Sequence, residues 1–428
     1  MGHAHRADRG VDEQVRVARG PARVLLAGLA VCLVAAIAGL IVWWPSGDPS
    51  ATEGDQATQY AAEGVTFPVG EIVEVVTECD TQGGDAEGIN TQGSNAQARG
   101  CPFLTVDLGG EVGEVQVAVP TEVADSGLSA GDRVEVVSTP TEDGFAYTYS
   151  GIDRDSTLLL FFALFVVVVL AIARWRGLFA LLGMAFGGAV VWWFVLPALL
   201  EGAPGVGVAL AGSTAIMFVV LYTTHGFSLR TSTALAGTLI GVALTAGLGQ
   251  VALERAHLVG ISEESGAFLA ALAPGLDFQS LLGCALVIAG LGVLNDVTIT
   301  QASAVWELRA VAPETSRAGL FAAGMRIGRD HIASTIYTIV FAYVGTALLV
   351  LMLYQVYARP LHELLSTEQL AEEIVRTLVT SIGLVLAVPI TTALAAVVVG
   401  GHAPDVEEEL TDAAGSTPAA SSPHPRPE

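Results

Sequence analysis

The chain contains no lysine, so all 19 of its Lys and Arg residues are arginine. They stand against 43 acidic residues, which gives a formal net charge of −24 at pH 7. A chain this acidic lacks the basic footprint that nucleic-acid binding requires, which argues against DNA- or RNA-binding functions. Charged residues make up only 14% of the sequence, whereas 52% of it is hydrophobic. That balance is typical of a protein that lies largely in lipid.

Cysteine is scarce, with four residues in the chain. Cys32 and Cys284 lie in apolar stretches, where small core residues are the simplest interpretation. Cys79 and Cys101 lie in an acidic segment, and in an oxidising compartment they are predicted to form a disulfide. The alternative is a pair of free thiols.

Catalytic motifs are missing as well. The sequence has no His-Glu-x-x-His and no serine elbow, and three of its eight histidines, at 225, 257 and 331, lie in different segments without ligand spacing. We therefore predict no catalytic residues, no metal and no cofactor, and we expect that the chain is not an enzyme. Residues of the type that bind Ca²⁺ do occur, but their spacing matches no EF-hand and a solvated acidic loop is the preferred interpretation: Asp80, Asp85, Glu87 and Asn90.

Long apolar stretches, in contrast, are abundant. A hydrocarbon core about 30 Å thick needs roughly 20 mostly apolar residues in helical form. Eight stretches qualify, at residues 24–44, 158–173, 177–200, 206–222, 233–253, 279–300, 332–353 and 374–400. The predicted fold class is therefore an all-α polytopic membrane bundle of about eight transmembrane helices. Its partners are the lipid bilayer and a small solute or cation, and its oligomeric state stays open.

The first stretch follows a basic tail at residues 1–23 and has two interpretations. A basic front and an apolar middle are also features of a cleaved signal peptide, and Ala36-Ile37-Ala38 resembles a cleavage site. Because the apolar run continues to Trp44, a retained anchor at residues 24–44 is favoured. The other seven stretches form a bundle at residues 153–400.

The positions of the arginines predict the orientation, because short cytoplasmic loops are rich in positive charge. Five arginines precede the first span, and loops on the same side hold seven more, at 174, 176, 230, 309, 317, 326 and 329. The opposite short loops hold only Arg255, Arg359 and Arg376. We therefore predict cytoplasmic termini, an extracytoplasmic segment at 45–156, and a place in the cell membrane.

The segment between the first two spans reads as a separate domain. Residues 45–64 are small and polar and predict a linker. Residues 65–152 contain five alternating or β-branched runs, at 71–77, 103–108, 113–119, 132–138 and 145–150. They predict a small extracytoplasmic all-β domain, an OB-like barrel inserted after the first helix. Residues 45–156 hold 21 acidic residues and three arginines, a net charge of −18, so partner docking is a better expectation than nucleic-acid binding. Residues 401–428 are acidic and predict a disordered cytoplasmic tail.

Two polar stripes interrupt the apolar pattern of the bundle. The sixth span runs into residues spaced by four, three and four, which share one helix face: Asp296, Thr300, Ser303 and Glu307. The seventh span opens with a second stripe and an adjacent cation: Arg326, Asp330, Ser334 and Arg329. A loop of about twenty residues between the two predicts antiparallel neighbours. About 28 Å of helix separates Asp277 from Asp296, which puts the cluster at the cytoplasmic mouth.

The stripes have two interpretations. Ionisable groups in membranes face inward and line pathways, so the carboxylates and hydroxyls predict a cation- or proton-linked vestibule. Alternatively, Arg326 or Arg329 neutralises the carboxylates and locks the two helices together.

Residues 295–308 (NDVTITQASAVWEL) and 326–335 (RIGRDHIAST) resemble the signature stretches of the YibE/F family of bacterial membrane proteins. The likeness covers roughly residues 60–395, and the predicted plan of an anchor, a small β domain and a helical bundle agrees with it. The resemblance implies a permease-type membrane protein without an established substrate. Where the family often has a second acidic residue, this chain has Asn295, which argues against a metal-chelating carboxylate pair.

Three hypotheses from different classes follow. The polar stripes and glycine-rich helices favour a permease-like transporter of an unidentified solute or ion. The alternative is a non-transporting scaffold or sensor that binds envelope partners through its β domain. An intramembrane protease with Asp296 and Asp330 as an acid–base pair is the least favoured, because no accompanying motif is present.

Overall fold

The computed structural model describes residues 15, 17–46, 64–77, 102–110, 112–142, 144–261, 264–357 and 360–400. They divide into two compact units, one within Glu53–Arg174 and one within Met1–Thr52 and Trp175–Glu428. Most of the basic tail and of the linker lie outside the described residues, as do the acidic C-terminal tail, Cys79 and Cys101. The predictions made for those segments, including the disulfide, therefore stay predictions.

The helices of the described residues, numbered in order, are α1 Arg19–Val42, α2 Thr121–Ala124, α3 Asp155–Val190, α4 Leu196–Leu200, α5 Gly205–His225, α6 Leu229–Ala256, α7 Glu264–Leu272, α8 Phe278–Val311, α9 Arg317–Thr346, α10 Leu348–Tyr357, α11 Leu361–Leu364 and α12 Glu368–Val398. A π-helical stretch, Val191–Val195, joins α3 to α4. Within the described residues, six helical runs are long and apolar enough to cross a membrane, or up to seven when the bent pair α9–α10 counts as one span.

When the bent pair counts as one span, the predicted total of eight spans differs from this count of seven at one place. The apolar stretches at 158–173 and 177–200 belong to one helical run, Asp155–Leu200, of 46 residues. Arg174 interrupts that run with a φ of 53°, a value in the left-handed region that few side chains adopt. The two apolar stretches are thus two helical segments that meet at Arg174 without a loop between them.

The connection between α8 and α9 is much shorter than the predicted loop of about twenty residues. It consists of residues 312–316, because α8 continues past the apolar span and α9 begins before the next one. Ser316 caps α9 by accepting a hydrogen bond from the backbone N–H of Gly319 at 3.1 Å. The Arg309 guanidinium, buried at the end of α8, donates to the carbonyl of Thr315 at 2.8 Å and closes the turn.

Helices α6, α8 and α12 form the centre of the bundle, and α6 packs against α12 through small residues. Three pairs of positions face each other in antiparallel order, Gly237 with Thr391, Gly241 with Ala387, and Thr245 with Gly383. On both helices these positions are four residues apart, which places them on one face. Small residues allow the two backbones to approach closely, as helices do in lipid. We call this arrangement the α6–α12 zipper.

The second unit contains a five-stranded antiparallel sheet. Its strands are β1 Val69–Val76, β2 Phe103–Asp107, β3 Glu114–Ala118, β4 Arg133–Thr141 and β5 Gly144–Ile152, in the order β3-β2-β1-β4-β5. The inward faces of these strands share one apolar core, which includes Ile72, Leu104, Val106, Val134 and Val136. The five predicted strands are thus confirmed. No hydrogen-bonded pairing of the edge strands β3 and β5 closes the sheet among the described residues.

Candidate functional site

The two polar stripes predicted from the sequence lie on the surface of the chain. On α8 the exposed members are Asp296, Thr300 and Glu307, and Ser303 is partly buried. On α9 the exposed members are Arg326, Arg329, Asp330 and Ser334. The fold therefore does not gather these side chains into an interior vestibule.

One contact joins the two stripes. Asp296 Oδ2 lies 3.8 Å from His331 Nε2, so α8 and α9 are neighbours at this level. Neither Arg326 nor Arg329 forms an ion pair with another described residue. The predicted neutralisation of the carboxylates by one of these arginines is therefore not seen in this structure. The Asp296 side chain is 70% exposed. The contact is therefore long and lies at the surface of the chain, where ion pairs contribute little to stability.

Helix α8 buries the face that lies away from the stripe. Leu294, Val297 and Val305 recur at helical spacing and pack into the core, and Thr298 and Gln301 lie among them. Because this face packs against the neighbouring helices, the carboxylates of the opposite face lie on the surface of the chain. The buried polar side chains of α8 are an alcohol, an amide and, in its last turn, the guanidinium of Arg309.

A cavity of about 360 Å³ lies at the opposite end of α8. Its walls come from the first turns of α8 and α12, from α7 and the loop before it, and from the junction of α9 with α10. Leu281, Leu282 and Val350 give it an apolar side, and Glu372, Glu373 and Arg376 give it a charged side. This combination of an apolar wall with a few convergent polar groups is typical of small-molecule sites.

The charged wall belongs entirely to α12. Arg376 Nη1 donates to Glu373 Oε1 at 2.7 Å, and both side chains are roughly three-quarters buried. Glu372 is more deeply buried, with 7% of its surface exposed. Ionisable side chains inside a membrane bundle are costly and are typically tied to function.

The mouth of the cavity is held in place by side chains from α12 and α8. Glu368 accepts hydrogen bonds from the backbone N–H groups of Val259 at 2.5 Å and Gly260 at 3.3 Å. Gln279 donates to the carbonyl of Leu258 at 3.2 Å. The loop after α6 is therefore fixed to the starts of both neighbouring helices.

Asp277 fixes the start of α8 itself. Its carboxylate accepts hydrogen bonds from the backbone N–H groups of Gln279 at 3.1 Å and Ser280 at 3.2 Å. The hydrogen bonding of Ser280, which favours the charged form, lowers the pKa of this carboxyl below its ordinary value of 3.8.

One wall of the cavity is a broken helix. Helices α9 and α10 meet at an angle of 61° across Ala347, and Thr346, Ala347 and Val350 line the cavity there. Non-helical backbone at membrane depth is tolerated where it faces a cavity or other protein groups. The break therefore fits the presence of the cavity beside it.

A line of buried polar side chains leads away from the cavity along α12, α6 and α8. Thr380 lies one turn beyond Arg376, and both Thr380 and Thr245 point a methyl group at Gly290, within 3.7 Å of where its Cβ would be. Further along, Thr238 Oγ1 lies 2.6 Å from Thr298 Oγ1. These contacts place threonine side chains from three helices in the same interface.

The line ends near the start of α9. Gln301 Nε2 donates to the carbonyl of Gly324 at 2.8 Å, and Thr391 packs against Gly237 in the zipper. All members are at most 2% exposed, and we call them the buried seam: Thr238, Thr245, Thr298, Gln301, Thr380 and Thr391. The hydroxyls of Thr245 and Thr391 have no hydrogen-bond partner among the described residues.

The sequence prediction missed the cavity and the seam for identifiable reasons. The eighth span was expected to begin at residue 374, so Glu372 and Glu373 were placed in a loop and Arg376 at its edge. The helix begins six residues earlier, at Glu368, which puts all three side chains on one helical segment. The recurrence of threonine in the fifth and eighth spans was a detectable signal, but hydroxyls are common in lipid-embedded helices.

The apolar helices and the buried polar interface define a multi-pass membrane protein. The model of the YibE/F-like protein family matches residues 161–401, more than half of the chain. The chain therefore belongs to the YibE/F family, as the two signature stretches predicted. The match covers most of α3 and every later helix, whereas the resemblance was expected to begin near residue 60. No curated protein and no solved structure matches the chain significantly.

Proposed function

We propose that this protein is a permease-like transporter of a small solute or ion, and that its pathway is the cavity together with the buried seam. The observation that carries the proposal is that fully buried polar side chains follow the charged cavity wall along α12, α6 and α8: Thr380, Thr245, Thr238, Thr298 and Gln301. Lipid-embedded helices associate mainly through close packing. Aliphatic residues at these positions would therefore stabilise a purely structural bundle about as well as polar ones.

The unsatisfied hydroxyls of Thr245 and Thr391 support this proposal. A buried hydroxyl without a partner costs about 1–3 kcal/mol. Such a cost is tolerated where the group serves another state of the protein, or where water and solute reach it. A pathway that opens between α6 and α12 would give both hydroxyls partners.

We propose the following topology for the transporter. The arginine distribution favours cytoplasmic termini in the cell membrane, with residues 45–156 outside. The run Asp155–Leu200 has 46 residues, about 69 Å of helix, which is over twice the thickness of a hydrocarbon core. We therefore propose two spans that divide at Arg174, and eight spans in total.

The β domain is the basis of the alternative function, a scaffold or sensor that docks envelope partners. Residues of β3 and β5 approach within 8 Å between Cα atoms although no pairing joins them. Adding that pairing to the order β3-β2-β1-β4-β5 would close a ring of five strands, so we propose a partly open OB-like barrel. A stoichiometric partner recovered by cross-linking, together with no solute flux, would favour this alternative.

We propose no catalytic chemistry for the chain. A second candidate for the transport pathway is the exposed stripe with Asp296 and Asp330. Proteoliposomes with entrapped pyranine report solute-coupled proton movement, and a panel of small amines, acids and sugars can be added from outside. We expect Glu373→Gln to reduce solute-evoked flux at least tenfold and Asp296→Asn to leave it near the wild-type value.

Glu254→Gln serves as a matched control, since Glu254 is an exposed carboxylate on α6 bonded to Gln250. Loss of flux in Asp296→Asn or Asp330→Asn, with normal flux in Glu373→Gln, would move the pathway to the stripe. Folded wild-type protein that evokes no flux with any of these solutes would remove the transport proposal.

A further inference from the structure

The charges around the cavity favour one class of ligand. Its described charged side chains are two carboxylates and one guanidinium, Glu372, Glu373 and Arg376, which leaves a net charge of −1. The Glu373–Arg376 pair already satisfies the guanidinium in part. A cation entering the cavity would therefore meet an attractive field, and an anion would have to break that pair.

The helix ends at the cavity change this field little. The starts of α8 and α12 carry partial positive charge, but Asp277 caps the first and Glu368 lies in the first turn of the second. The last turn of α9, which ends at the cavity, has no basic residue to offset its carbonyl groups. The first turn of α10, which begins at the same junction, has no acidic residue either, so these two helix ends of opposite sign offset each other.

The remaining walls indicate an organic cation. Leu281, Leu282 and Val350 offer apolar surface to a hydrocarbon body, and about 360 Å³ is room for a solute of roughly amino-acid size. Among the described residues, no group of three His, Cys, Asp or Glu side chains is placed to hold a metal ion. A bare divalent cation would lack the oxygen ligands that it prefers.

We propose that the cavity binds a small monovalent organic cation, with its ammonium group at Glu372 and Glu373 and its apolar body against Leu281, Leu282 and Val350. The inference deepens the proposed function, because it names the solute class of the same site. It makes a prediction about binding alone, which does not depend on transport.

The test compares choline with its neutral isostere 3,3-dimethyl-1-butanol by isothermal titration calorimetry on the full chain in detergent micelles. We expect choline to bind at least tenfold more tightly than the isostere, since one charge contact of modest strength gives about that ratio. Glu373→Gln should remove most of this preference, and Glu254→Gln should leave it unchanged.

Equal affinity for the two probes, or no binding of choline, overturns the inference, and this comparison needs only the wild-type chain if Glu373→Gln fails to fold. Cation-selective binding without flux in proteoliposomes would remove the transport proposal and keep the ligand class. Flux of a solute that is not a cation, with no choline binding, would do the reverse.

Discussion

Asp277 is the residue whose local role is best defined by its geometry. It precedes α8, accepts two backbone N–H groups, and lies beside the first turn that lines the cavity. Caps of this kind satisfy donors that would otherwise have no partner within the helix. The start of α8 thus depends on one carboxylate.

We predict that Asp277→Ala lowers the free energy of unfolding by about 1 kcal/mol at pH 7. Because folding lowers the pKa of this carboxyl, the charge-dependent part of its contribution is fully present above the ordinary value of 3.8 and is lost as pH falls through the folded value. Thermal unfolding in micelles at pH 7 and pH 3 measures both effects. Asp277→Asn keeps a capping oxygen, so its stability should lie between those of wild type and Asp277→Ala. If the stability difference between wild type and Asp277→Ala were larger at pH 3 than at pH 7, the capping role would be contradicted.

Single residues also show why the site was only partly predictable. Asp296 and Asp330 were conspicuous because charges are rare in apolar sequence, yet sequence spacing reports which residues share a face and not which way that face turns. The neighbours Val297, Thr298 and Gln301 decided the orientation, since they recur with the core positions of α8. Thr245 gave no comparable signal, because its importance comes from packing against Gly383, which lies on a helix far away in the sequence.

At the scale of elements, the lengths of helices were harder to predict than their existence. Every predicted apolar stretch is largely helical, although the stretch 332–353 is divided between α9 and α10, and each of the five predicted strands is present. An apolar stretch ends where polar residues begin, whereas a helix begins at its cap, as α8 does after Asp277 and α9 does after Ser316. Gly345 was the one nearby sequence feature that indicated a bend at Ala347. The cavity that this bend borders was therefore not predictable.

The α6–α12 zipper leads to a prediction about these two helices. A methyl group added at Gly237 would overlap Thr391 Oγ1, so Gly237→Ala should destabilise the folded protein by about 1–3 kcal/mol. The symmetric change Gly383→Ala, which meets Thr245 Oγ1, should have a similar effect. Chemical unfolding in mixed micelles gives both values.

Two further variants make the zipper test specific. Gly247→Ala places a methyl group on the same helix with nothing within 4 Å, so it should be neutral or slightly stabilising. Adding Thr391→Ala to Gly237→Ala removes the hydroxyl and should recover most of the loss. If Gly237→Ala behaved like Gly247→Ala, the close approach of α6 and α12 would not exist.

At the scale of the whole molecule, the proposed orientation and span count are the least constrained features. We predict that alkaline phosphatase inserted after residue 60 is active in cells and that the same enzyme fused after residue 410 is inactive, since it folds only outside the cytoplasm. A green fluorescent protein fused at 410 should fluoresce. Phosphatase activity at 410 would mean an odd number of spans, and the division at Arg174 would then be wrong.

The central claim is that the buried seam opens to solution, as a transport pathway must. The most direct measurement is the rate at which Thr245→Cys reacts with a small cationic, membrane-impermeant methanethiosulfonate in proteoliposomes, in a background with Cys32→Ser and Cys284→Ala. Ala285→Cys, in the cavity wall, provides the positive control, and the parent background corrects for other thiols. Thr245 has no exposed surface in this conformation. We predict that Thr245→Cys reacts, more slowly than Ala285→Cys; a rapid reaction at Ala285→Cys with none at Thr245→Cys would show that the seam is permanent dry packing.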